Sequence, residues 1–218
     1  MRLQHLKAIL KAAASGAAVL LMGVGVATAQ QQVNLTAGPT MATMPDGVAV
    51  PMWGYTCGGT VMGSTATCAP ASRTAANPTP TGWSPVIITV PTGQTLQINL
   101  TNSLSFPGGD IPTSLVIVGQ LGGGLGTGAT STDSPVHTNS TTWPIADPTP
   151  IAGQPQGKRV QSFATEVGAN ATTSLTWANM RPGTYLLESG THPSIQASMG
   201  LIGMVVVSGP SATAAAGW

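Results

Sequence analysis

Pro85-Val86-Ile87-Ile88-Thr89-Val90-Pro91-Thr92-Gly93-Gln94-Thr95-Leu96-Gln97-Ile98-Asn99-Leu100-Thr101 reads as two β-strands joined by a turn. The run from Val86 to Val90 is β-branched, a side-chain shape that packs well on a pleated surface and crowds the preceding turn of a helix. Pro91-Thr92-Gly93 has the Pro-x-Gly order of a turn. Residues 94–101 then alternate, with Leu96, Ile98 and Leu100 on one side and Gln97, Asn99 and Thr101 on the other. Period-two alternation predicts a strand with one face on a core and one in water.

The same reading extends in both directions. Towards the C-terminus, residues 114–118 predict a buried strand and residues 119–132 a glycine-rich loop too flexible to pack by itself. Residues 133–159 are punctuated by proline and carry Trp143, which predicts a long excursion over the surface, the kind of loop that often serves function. Residues 160–167 and 172–177, separated by Gly168-Ala169-Asn170, predict a hairpin. Arg181-Pro182-Gly183 turns the chain into a strand over 184–188, and residues 201–207 predict a last, fully apolar one. Towards the N-terminus, residues 69–82 predict a surface loop and residues 48–55 a short strand. The stretch 30–50 is polar and rich in Thr and Met, with Met44-Pro45-Asp46-Gly47 as a turn. Roughly seven to nine short strands and no long helix predict an all-β Greek-key sandwich.

Residues 1–29 stand apart. Arg2, Lys7 and Lys11 lead into an apolar run from Ala12 to Val26, followed by Ala27-Thr28-Ala29. That order predicts a signal peptide cleaved before Gln30, hence a periplasmic or secreted protein with no membrane span after cleavage. Residues 30–208 are expected to form one domain and residues 209–218 a disordered tail. From Gln30 onward four basic side chains face six acidic ones, a net charge of −2. A nucleic-acid partner is not expected, because only Lys158 and Arg159 form a cationic pair and phosphate binding needs a basic stripe. Cys57 and Cys68 are the only cysteines, and in an exported chain they are expected to pair as a disulfide. A copper thiolate is the weaker reading, since neither has His or Met at ligand spacing.

Three stretches carry a resemblance. Gly183-Thr184-Tyr185-Leu186-Leu187-Glu188-Ser189-Gly190-Thr191-His192 continues to Gln196 and then Gly200-Leu201-Ile202-Gly203. It resembles the N-terminal plastocyanin-like (cupredoxin) domain of bacterial multicopper oxidases, where a Gly-Thr-Tyr strand leads to a His-x-His pair. His192 falls on the second histidine of that pair and Gly190 on the first. Pro91 to Asn102 is similar to the family's Pro-x-Gly strand that ends in Asn. Val116-Ile117-Val118-Gly119 stands where the family has His-x-His-Gly. The resemblance covers roughly residues 40–208 and implies a cupredoxin-like β-sandwich, copper as cofactor, oxidoreductase chemistry, and further cupredoxin domains or another subunit as partners.

The departures decide what chemistry is expected. Of four first-domain histidines only His192 is retained, and a cupric site wants several nitrogen ligands in fixed geometry. A blue-copper site needs a cysteine in the last loop, and Thr191 stands there. No catalytic residue is expected. His192, with Glu188 at the end of its strand, is the candidate metal pair. The competing reading makes His192 a loop histidine and Glu188 a network carboxylate paired with His192 or Arg181. His137 reads as a surface histidine. The methionines Met41, Met44, Met52 and Met62 lack the tight spacing of a cuprous site, and Met199 and Met204 read as core fillers. Asn34, Asn99, Asn139 and Asn170 each begin an Asn-x-Ser/Thr triplet, which a Thr-rich chain produces by chance. No nucleophile elbow, phosphate loop or carboxylate pair supports hydrolysis or phosphoryl transfer.

Three uses of such a domain follow: a binding or structural module or a shortened oxidase fragment, incompetent alone; a copper-binding subunit that contributes His192 to a site completed by another chain; or an extracellular adhesion module. An exposed apolar patch is expected near His192 and Trp143, where companion domains would dock.

Overall fold

The computed structural model describes residues 30–77, 81–132 and 158–209. The leader, Asn139, His137, Trp143 and the tail beyond residue 209 lie outside the described residues. Of the described residues 49% are strand and 3% helix, so the expected all-β class holds. Among the described residues no helix is long and apolar enough to cross a membrane.

The strands are β1 (Gln31–Thr43), β2 (Ala49–Cys57), β3 (Thr67–Pro70), β4 (Val86–Pro91), β5 (Leu96–Asn102), β6 (Ser105–Phe106), β7 (Gly109–Asp110), β8 (Val116–Ile117), β9 (Thr130–Thr132), β10 (Arg159–Ser162), β11 (Thr172–Trp177), β12 (Gly183–Glu188) and β13 (Ile202–Ser208). One helical turn, α1 (Pro193–Gln196), precedes β13. One sheet runs β11-β5-β1-β2 and the other β3-β4-β13-β12-β8. β1 lies parallel to β5 and β13 parallel to β4, whereas the neighbours of each are antiparallel. Parallel neighbours distant in sequence require crossovers between sheets, which gives the Greek-key sandwich its connectivity.

Alternation fills the space between the sheets. Leu96, Ile98 and Leu100 of β5 and Val33 and Leu35 of β1 meet Val86, Ile88 and Val90 of β4 and Val205 and Val207 of β13, all buried. Each large aliphatic side chain so buried contributes about 1.5–3 kcal/mol. The expected disulfide is formed: Cys57 ends β2 in one sheet and Cys68 lies in β3 of the other, so the bond ties the two sheets at one margin.

Four local expectations need correction. Residues 31–43, read only as a polar segment, form the long β1; its inward residues Gln31, Val33, Leu35 and Ala37 alternate with half-buried neighbours. The expected surface loop over 69–82 begins inside β3. The expected hairpin of residues 160–177 does not pair with itself: β10 joins β9, and β11 joins β5 across the sheet. The glycine-rich loop packs closely. Gly122 and Gly123 lie against the buried Trp177 ring, and at φ +61 Gly123 takes a backbone shape that costs other residues about 1–2 kcal/mol.

Candidate functional site

β12 ends at Glu188, and the chain continues through Ser189-Gly190-Thr191-His192 into α1, which returns it to β13. Pro193 opens α1, where a missing N–H costs nothing. His192 precedes it in the left-handed conformation (φ 40, ψ 58); its N–H donates to the Gln161 carbonyl at 2.8 Å. The His192 side chain is exposed. Glu188 is half-buried, opposite Ile202 on β13 and Val116 on β8. Among the described residues no group of three or more His, Cys, Asp or Glu side chains is placed to hold a metal.

What occupies this end of the sandwich is a network of hydroxyls and amides. Gln196 is its first hub. Its Oε1 accepts from Thr113 Oγ1 at 2.8 Å and Ser189 Oγ at 2.7 Å, and its Nε2 donates to the Pro112 carbonyl at 2.8 Å. Thr191 is the second, with its Oγ1 at 3.1 Å from Ser114 Oγ, 3.0 Å from Ser162 Oγ and 3.2 Å from Glu166 Oε1. A hydroxyl has one proton to give. Ser162 donates to the Ala164 carbonyl at 2.8 Å, and the Thr191 proton goes to Glu166 Oε1. Glu166 also accepts from Thr130 Oγ1 at 2.9 Å and from Gln161 Nε2. Thr113, Ser114, Ser162, Ser189 and Thr191 are wholly buried, so water reaches none of these hydroxyls. Buried polar groups left unpaired are costly, and here the partners are supplied internally.

Gly190 is boxed in. A Cβ added there would stand 2.6 Å from Val116 Cγ2 and 3.0 Å from Ser114 Oγ. Val116 and Ser114 therefore close the space around Gly190, and the side chains there offer hydroxyl and amide oxygens. Copper prefers imidazole and sulfur donors in fixed geometry, so these residues do not fit a copper centre.

Of the residues singled out from sequence, the structure brings Thr191, Gln196 and Gly190 into one network and leaves His192 at its rim. Thr113, Ser114, Ser162 and Glu166 were missed. A buried serine has no signature in sequence; only the resemblance read in the stretch from Gly183 to Gly203 pointed here. Exposed Ile195 and Phe163 flank the loop, Phe163 through its N–H to the Gly190 carbonyl.

Tyr55 lies in the core with its hydroxyl buried and without a hydrogen-bond partner among the described residues. Burial first, and the Glu188 carboxylate second, push its ionisation well above the usual tyrosine range. Because the raised value belongs to the folded state, this stability is intact below the unfolded value of about 10 and is lost as pH climbs beyond it. Tyr55→Phe removes an unsatisfied polar atom without altering shape. Urea unfolding at neutral pH is expected to show the variant equal to the parent or more stable by up to ~1 kcal/mol, whereas a loss above ~1 kcal/mol would mean the hydroxyl has a partner.

Comparison with family models and with curated proteins gives no match. Among solved structures, the chain is similar to a multi-copper oxidase from Pseudomonas Thermotolerans at 15% identity, covering 84% of this chain and 31% of that one, TM-score 0.48. It is similar to a copper nitrite reductase from Nitrosomonas europaea at 14% identity, covering 84% and 43%, TM-score 0.46. A third is the McoA multicopper oxidase from the hyperthermophile Aquifex aeolicus at 16% identity, covering 81% and 26%, TM-score 0.44. The chain spans less than half the length of each.

Proposed function

We propose that this chain is an exported plastocyanin-like domain that works as a binding or structural module and does not turn over as an oxidase by itself. The observation that carries the reading is the closed pocket: Gly190 has no room for a side chain, and the space around it is knitted by Thr191, Ser114 and Ser162. An oxidase centre needs open coordination positions and nitrogen donors, whereas a sealed hydroxyl network stiffens the loop that carries His192. Export is supported by the leader pattern of residues 1–29.

A second reading is favoured by one feature. The exposed His192 imidazole stands at the rim of the network, where another chain could use it as a single ligand. Metal analysis after dialysis against copper distinguishes the two. The first reading expects less than stoichiometric copper in the isolated chain, equal in the parent and in His192→Ala. Stoichiometric copper lost in His192→Ala would overturn it.

A further inference from the structure

The outer face of the β11-β5-β1-β2 sheet carries a ladder of uncharged polar side chains that the pocket does not use. Asn34-Leu35-Thr36 and Asn99-Leu100-Thr101 lie side by side on parallel strands, Asn34 opposite Asn99 and Thr36 opposite Thr101. Across β5, Ser174 stands opposite Asn99 and Thr172 opposite Thr101. The leucines of both triplets are buried, so the Asn and Thr side chains share the outer face. Two rows result, one of Asn, Asn and Ser, the other of Thr, Thr and Thr, ~4.8 Å apart between strands and ~6.7 Å apart along them.

The rows are held by their own bonds. Asn99 Nδ2 donates to Asn34 Oδ1 at 3.0 Å, Ser174 Oγ to Asn99 Oδ1 at 2.8 Å, and the Thr101 and Thr172 hydroxyls meet at 2.8 Å. β1, β5 and β11 contain no charged residue.

We infer that this face binds a neutral polysaccharide. The strands that form the rows carry no charge to neutralise a phosphate or carboxylate polymer, and the rows offer no apolar surface to a peptide. The groove beside Asn34, lined also by Gln32, Gly59 and Arg73, lies at the β1 margin. Amides and hydroxyls each donate and accept, which matches a chain of hydroxyl-bearing rings and no ionic ligand. Prior bonding fixes the rotamers, so little side-chain entropy is lost on contact. Individual bonds of about 1 kcal/mol are weak, and a repeating ligand is what lets repeating rows add up. The inference stands apart from the copper question, because the face lies on the opposite side of the sheet from the core and shares no residue with the pocket.

The test is co-sedimentation of the purified folded chain with amorphous cellulose and with an insoluble neutral β-1,3-glucan, at low and high salt. Retention on at least one of them, unchanged by salt, is expected. Thr36→Val/Thr101→Val should weaken it tenfold or more with an unchanged urea midpoint, while Thr184→Val on the other sheet leaves it intact. If the double variant fails to fold, Thr172→Val/Ser174→Ala on the edge strand β11 reads the same rows. Three results would overturn the inference: no retention on either neutral polymer, retention only on charged alginate or chitosan, or retention that ignores the ladder substitutions. A concentration-dependent dimer abolished by the same substitutions would assign the face to a second copy and overturn it equally.

Discussion

Gly190→His is expected to destabilise the protein by at least ~3 kcal/mol and to leave its affinity for copper no higher than the parent's. The sequence resemblance sets the first histidine of a His-x-His pair at this place, so that resemblance alone would expect a ligand to be regained. Space decides otherwise. The first atom of any side chain already lies 2.6 Å from Val116 Cγ2 and 3.0 Å from Ser114 Oγ, closer than folded proteins tolerate. An imidazole adds five ring atoms in the same direction. To admit it, Val116 must leave its place in β8, where it pairs with Glu188, or the Ser114–Ser162–Thr191 hydroxyls must separate and lose partners that water cannot replace.

Gly190→Ala grades the effect. A methyl alone should cost about 1–3 kcal/mol, and Gly190→Ala/Val116→Ala should recover part of it, because the second change removes the atom that the first one strikes. Urea unfolding with an unchanged m-value measures each step. A folded Gly190→His protein as stable as the parent, holding copper through dialysis, would show that the pocket opens and that the proposed function is wrong.

The contrast between fold and pocket explains what the sequence made legible. β4 and β5 were readable because β-branched runs and strict alternation state burial directly, as Leu96, Ile98 and Leu100 show. β1 carries the same alternation at Val33 and Leu35, but its inward positions start with Gln31 and end with Ala37, so apolar pattern hides it. Gln31 is buried by partners on residues 64–66, which no local rule anticipates. The pairing of β10 with β9 and of β11 with β5 is a matter of topology, and proximity in sequence favoured a hairpin that long-range contacts override. At this end of the sandwich, the expectation of absent imidazoles at Gly190 and Val116 was legible from the sequence resemblance. Their replacement by a closed network was not, since Ser114, Ser162 and Glu166 come from segments that meet only after the sandwich forms.

Gln196→Leu is the sharpest probe of that network, because it exchanges a hub for an apolar side chain of nearly equal volume. The change leaves the Thr113 and Ser189 hydroxyls without their acceptor and the Pro112 carbonyl without its donor. Each orphaned buried group costs about 1–3 kcal/mol. Some of the loss is absorbed, since Thr113 and Ser189 also contact each other at 3.1 Å and Ser189 reaches the Thr191 carbonyl at 3.3 Å. A net loss of ~2–4 kcal/mol in urea unfolding is therefore expected. Thr113→Val/Gln196→Leu should cost less than the sum of its two single changes by roughly 1 kcal/mol, because the double variant removes a hydroxyl that the Gln196 change alone would strand. Additive costs, or a Gln196→Leu protein within ~0.5 kcal/mol of the parent, would mean that the hydroxyls are satisfied independently and that the network does not hold the loop. The loop is where the two readings of function part. If Gln196 fixes it, His192 is presented at one rigid place on the surface, and its N–H to the Gln161 carbonyl should exchange faster with solvent in Gln196→Leu than in the parent.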